Sequence, residues 1–105
     1  MLIEDSTFEE FTNLLKAVAD PTRRHIIFLL RHKGELSVGN ITDELKIAQP
    51  TVSQHLRILK EAGAVKSRKD GQQVLYSVFS ITVCDALMDF LALFQKESKQ
   101  GKGER

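Results

Sequence analysis

The chain has a single cysteine among its 105 residues, so Cys84 cannot form an internal disulfide, which suits a reducing compartment. No apolar run approaches the roughly 20 residues that a membrane-crossing helix needs. Near the N-terminus, Glu4 and Asp5 stand where a secretory signal would carry bases, and no long apolar stretch follows. A cytoplasmic protein without a membrane partner is expected. An excess of one charge is also missing, with 15 lysines and arginines against 14 acids. Total charge therefore does not announce a polyanionic partner. No nucleophile–base pair, phosphate-cradling glycine loop or carboxylate dyad stands out. A chain of this size also has little room to enclose a substrate, so neither an enzyme nor a cofactor is expected.

What is present fits one domain with a modest core, 42% of the residues being hydrophobic and 28% charged. The charge is unevenly spread. Residues 1–10 hold four acids and no base, whereas residues 49–73 hold five bases (Arg57, Lys60, Lys66, Arg68, Lys69) against Glu61 and Asp70. Such a gradient can orient a protein on a polyanion.

Ser6-Thr-Phe-Glu9 reads as a capping box opening a first helix, with Phe8, Phe11, Leu15 and Val18 at helical spacing up to about Ala19. Asp20-Pro21 stops that helix and starts a second, Asp20 as cap and Pro21 where its missing N–H costs nothing. The second helix carries Ile26, Ile27, Leu29 and Leu30 and fades at Gly34. Ser37 caps a short third helix bearing Val38, Ile41 and Leu45. The fourth begins at Pro50, turns Val52, Leu56 and Leu59 inward, and stops at Gly63. Two strands, Val65–Lys69 and Gln73–Val78, meet at Asp70-Gly71, a strong hairpin signal. Ser80 then caps a fifth helix. The expected domain spans 1–96, followed by a flexible polar tail, 97–105. Four helices, a small β-hairpin and a last helix make a mainly α fold, and the order is that of a winged helix–turn–helix.

With Val52, Leu56 and Leu59 inside, Gln54, Arg57 and Glu61 face away, and Gln49, Thr51 and Ser53 crowd the start of the fourth helix. Glutamine can bond adenine N6 and N7 together, and hydroxyls donate or accept, so this turn suits a major groove. Its free N–H groups and dipole favour phosphate. Arg68, Lys69 and Gln72 at the hairpin tip would lie along the neighbouring backbone.

Five segments, Leu15-Lys-Ala-Val-Ala-Asp-Pro-Thr-Arg-Arg24, Glu35-Leu-Ser-Val-Gly39, Gln49-Pro-Thr-Val-Ser-Gln-His-Leu56, Leu59-Lys-Glu-Ala-Gly63 and Lys69-Asp-Gly-Gln72, closely resemble the ArsR/SmtB family of bacterial repressors. The likeness runs from about Phe11 to Phe94. It implies a homodimer built from the first and last helices that binds an inverted repeat in double-stranded DNA and releases it on a signal. It also implies that Gln49, Thr51, Ser53, Gln54 and His55 occupy DNA-reading positions, beside Pro50, Arg57, Arg68, Lys69 and Gln72. Many relatives carry serine where this chain has Ala48, so a helix cap worth about 0.5–2 kcal/mol is missing.

For the dimer interface the apolar stripe of the fifth helix is expected to supply Cys84, Leu87, Met88, Leu91 and Phe94, and the first helix Phe8, Phe11 and Leu15. No metal site is expected. The family's Cys-x-Cys pair is replaced by Ser37-Val-Gly39, and soft thiolate ligands have no substitute there. The last helix has Asp85, Asp89 and Glu97 but no histidine, the three being His25, His32 and His55. Cys84 near a helix start is a redox candidate, set against the ordinary role of a small buried hydrophobe. Two alternatives stay open: a protein-interaction module using the same fold, and a repressor answering to an organic inducer held between the first and last helices, or to a thiol-reactive one.

Overall fold

The computed structural model describes the backbone of residues 3–103 and the side chains of residues 3–95. Eight elements follow in order: α1 (Asp5–Val18), α2 (Pro21–Lys33), β1 (Leu36–Ser37), α3 (Val38–Leu45), α4 (Gln49–Glu61), β2 (Val65–Asp70), β3 (Gln73–Val78) and α5 (Ile81–Gly103).

The local signals explain most boundaries. Asp20 accepts from the Arg23 amide at 3.0 Å, which opens α2 with Pro21 in the first turn. Arg23 and Arg24 turn back onto the end of α1: Arg23 Nε donates to the Ala17 carbonyl at 2.6 Å, and Arg24 Nη1 to those of Val18 and Ala19 at 2.9 and 2.7 Å. Carbonyls that lack a helical partner are thereby satisfied. Ser37 caps α3 in a reciprocal box with Asn40, whose amide donates to Ser37 Oγ at 3.1 Å. The Ser80 hydroxyl accepts from the Val83 amide at 3.2 Å and opens α5.

One expected cap is corrected. α1 starts at Asp5 after an extended Glu4, whose carbonyl accepts from Thr7 and Phe8. Ser6 lies inside the first turn, where a hydroxyl cannot act as an N-cap, so the Ser6–Glu9 box does not form.

The sheet is also larger than the expected hairpin. β2 and β3 pair antiparallel from Val65↔Val78 to Asp70↔Gln73, and β1 adds to the free edge of β3 through Leu36↔Tyr76 and Ser37↔Leu75. The order is β1-β3-β2. Two residues are too few to show an alternating pattern, so β1 was invisible in the sequence.

The core joins Ile26, Ile27 and Leu30 of α2 to Ile41, to Val52, Leu56 and Leu59 of α4, and to Val65, Val78 and Cys84. From α1, Ala17 and Val18 are buried in it and Leu14 packs against it. The helical backbone of α5 continues to Gly103, through residues read as a polar tail from composition; side chains beyond Gln95 lie outside the described residues. No described helix is long and apolar enough to cross a membrane.

Candidate nucleic-acid interface

α3 and α4 are joined by a turn at Lys46-Ile-Ala48, in which Lys46 adopts a left-handed conformation with φ of 58°. This places α4 across the end of α3. Val52, Leu56 and Leu59 are completely buried, so the opposite face of α4 must point outward. Gln49, Pro50, Thr51, Ser53, Gln54 and Arg57 are all exposed. Arg57 Nη2 donates to Gln54 Oε1 at 3.2 Å, one helical turn along. This orients the Gln54 amide yet leaves a second lone pair on Oε1 and both Nε2 hydrogens for a base.

The start of α4 offers fewer free amides than the sequence suggests. Ala48 provides no side-chain cap, Pro50 has no N–H, and the Thr51 and Val52 amides donate to the Ala48 carbonyl at 3.0 and 3.1 Å. The helix dipole still favours an anion there.

His55 stands apart from the exposed group. It is half-buried at the edge of α4, with Nδ1 3.5 Å from Arg23 Nη1. Arginine can only donate, so the arrangement suits an imidazole carrying its hydrogen on Nε2. Arg23 thus touches the end of α1 and the flank of α4 at once. Its role was missed because a side chain on one helix reaching two others leaves no periodic signal.

The hairpin tip presents Lys69, Gln72 and Gln73 to solvent, with Gly71 at φ of +65° completing the turn. Arg68 is not a free cation. Its Nε and Nη2 donate to the two carboxylate oxygens of Glu35, each at 2.7 Å, and this holds the Glu35 carboxyl below the usual range. Glu35 was passed over because it lies 33 residues away in the chain.

A second surface is apolar. On α1, Phe8, Phe11 and Leu15 are exposed, and on α5 so are Val83, Phe90, Leu93 and Phe94. Leu87 and Met88 are half-buried against their own domain, and Leu91 is half-buried. Cys84 departs from the expectation for an interface residue: it is 5% exposed and belongs to the core. Burial pushes its thiol up, away from the thiolate a redox switch needs. Val83 and Phe90, which the sequence reading did not single out, share an exposed face of α5 with Phe94. Between the two regions Arg31 of α2 holds Asp85 of α5 through Nε–Oδ1 at 2.7 Å and Nη2–Oδ2 at 3.1 Å.

Ser37, at one of the positions where the family's thiolates were sought, is buried and caps α3. Among the described residues no three His, Cys, Asp or Glu side chains converge as metal ligands. A shallow cleft of about 390 Å³ lies between α1 and α4, lined by Asn13, Lys16, Arg23 and Glu61.

The family model of the arsR family of bacterial regulatory proteins matches residues 20–67, from the α2 cap through the helix–turn–helix into β2. An HTH-type transcriptional regulator of Methanocaldococcus jannaschii, MJ1325, is 48% identical over 71 residues, covering 68% of this chain and 80% of its own. The transcriptional repressor SdpR of Bacillus subtilis is 36% identical over 84 residues, covering 80% and 92%. Among solved structures, HlyU from Vibrio cholerae superposes with a TM-score of 0.72 at 32% identity, covering 83% of this chain and 97% of that one. The chain belongs to the arsR family of bacterial regulatory proteins and is a winged-helix transcriptional regulator, not an enzyme.

Proposed function

We propose that this protein is a cytoplasmic homodimeric repressor that reads an inverted-repeat operator with α4 in the major groove and the β2–β3 turn along the adjacent backbone. The observation that carries this reading is the division of α4 into a fully buried apolar face and an outward face of Gln49, Thr51, Ser53, Gln54 and Arg57. A helix so divided is held rigidly from behind and offers amides, hydroxyls and a guanidinium in front, the chemistry that base edges and phosphates accept. SdpR, its Bacillus relative, is a repressor by name; the same role here means occupying promoter DNA until a signal, unidentified in chemistry, weakens binding.

Dimerisation rests on the exposed phenylalanines of α1 and α5, large apolar side chains that a second copy would cover. Two copies related by a two-fold axis would set their α4 helices about 34–36 Å apart, one turn of DNA.

Selection of random double-stranded DNA by the purified protein tests the reading. Recovery of an inverted repeat with half-sites one helical turn apart, bound with a steep salt dependence, is the expected result. Recovery of no sequence, with salt-insensitive association to protein partners instead, would transfer the α4 face to a protein-interaction role.

A further inference from the structure

The Glu35–Arg68 pair joins two parts of the sheet that are not neighbours. β1 and β2 lie on opposite edges of β3, and Ser37 and Arg68 are both in register with Leu75. Adjacent strands are about 4.8 Å apart, so Arg68 spans the whole central strand to reach the residue that precedes β1. It arrives with both oxygens of the carboxylate matched to the guanidinium fork at 2.7 Å. Arginine uses the same fork for phosphate. Glu35 therefore occupies the part of Arg68 that DNA would use.

The charge around the pair gives this occupation a consequence. Lys66, Arg68 and Lys69 make β2 the cationic strand of the wing, and Lys66 also acts on Glu35 through space. A cationic wing left uncompensated would hold any phosphate backbone equally well. A phosphate approaching Arg68 must instead displace a carboxylate that fits as closely as it does. Random DNA, with no base contacts from α4 to hold the wing in place, has little to offset that displacement. An operator that seats α4 presses one phosphate against the wing in fixed register.

Resting on the DNA-binding role proposed above, we propose that Glu35 is a specificity-determining residue: a built-in counterion of Arg68 that suppresses sequence-independent binding and yields the guanidinium only in the operator complex.

The test compares wild-type protein with Glu35→Gln on a fluorescent random-sequence duplex and on the duplex recovered by selection, across a salt series. Glutamine keeps the shape of Glu35 and removes its charge. Glu35→Gln is expected to bind random DNA several-fold more tightly and to add one released counterion. The slope of log affinity against log salt then steepens by about one unit, an extra loss of about fourfold between 50 and 200 mM salt. The selected duplex gains less, so the ratio of specific to random affinity falls. Adding Arg68→Ala to Glu35→Gln removes the gain. Arg68→Lys, which keeps the charge but cannot hold both oxygens, moves random binding in the same direction as Glu35→Gln and serves if that variant folds poorly. Unchanged or weaker random binding at the wild-type slope would overturn the proposal, since a tie that only stiffens the sheet weakens both complexes when cut. Wild-type protein with no salt-dependent DNA binding would overturn the proposed function as well, so the two failures are distinguishable.

Discussion

Single residues here act through their backbone position as much as through their side chains. Lys46 closes α3 in the left-handed region, where its amide donates to the Thr42 carbonyl at 2.8 Å. A β-carbon in that region costs roughly 1–2 kcal/mol, and glycine avoids the cost. Glycine also widens the unfolded ensemble, which takes back part of the gain. Lys46→Gly should therefore stabilise the fold by up to about 1 kcal/mol, read as a higher denaturation midpoint at unchanged slope; a lower midpoint would show that the turn is unstrained. Asp20 acts the other way. Its acceptance of the Arg23 amide holds its carboxyl below the usual range, so its stabilising effect is present at neutral pH and fades as the solution is acidified through that lowered value. Asp20→Ala should cost about 1 kcal/mol near pH 7. The difference from wild type should shrink on going well below pH 4, which urea titrations at several pH values would show. A deficit that stays constant with pH would mean that the ionised cap is not the source of the effect.

At the scale of elements, caps and apolar spacing made nearly the whole order of helices and strands readable in advance. Asp20-Pro21, Ser37 and Ser80 each work through a bond between neighbours in the chain, and each formed; the hairpin formed too, with Asp70 ending β2 and the turn at Gly71-Gln72. What was not readable joins distant segments. β1 exists because β3 offers an open edge, and the Glu35–Arg68, Arg23–His55 and Arg31–Asp85 contacts depend on the packed fold. The ambiguity at α5 is similar: periodicity marks a broad apolar stripe, but only packing decides that Cys84 faces the core while Val83 and Phe90 stay outside. The Arg31–Asp85 pair ties that helix to α2. Arg31 holds the Asp85 carboxyl below the usual range, so the tie operates at neutral pH and is lost as pH falls through the lowered value. Asp85→Asn should lower the melting temperature at neutral pH and match wild type in acid; equal melting at both would show that the pair adds nothing. On the reading helix, Gln54→Ala should cost about 1–3 kcal/mol on the selected site if the amide pairs with a base. An equal loss on random DNA would instead place Gln54 against the backbone.

At the scale of the whole molecule, the two surfaces explain each other. One α4 helix offers few base contacts, and counterion release alone does not distinguish sequences. Two copies fixed in one frame make the second half-site an intramolecular partner, which raises affinity by about 10²–10⁴ without a new contact to DNA. For the proposed dimer, α5 has a suitable pattern. Val83, Leu87, Phe90 and Phe94 recur in steps of four, three and four residues, the spacing that keeps one seam facing another helix. Phe90 is 65% exposed and Phe94 is 72% exposed, so neither contributes much to the protomer's own core. A charge at Phe90 therefore leaves the fold intact and acts on assembly. Phe90→Glu should sediment as a monomer with an unchanged circular dichroism spectrum and lose at least about a hundredfold in affinity for the inverted repeat. Its binding to a single half-site should be near wild type, because α4 and the wing are untouched. A variant that stayed dimeric and bound the full repeat normally would show that the frame is built on other residues, with Phe8, Phe11 and Leu15 of α1 the next to substitute.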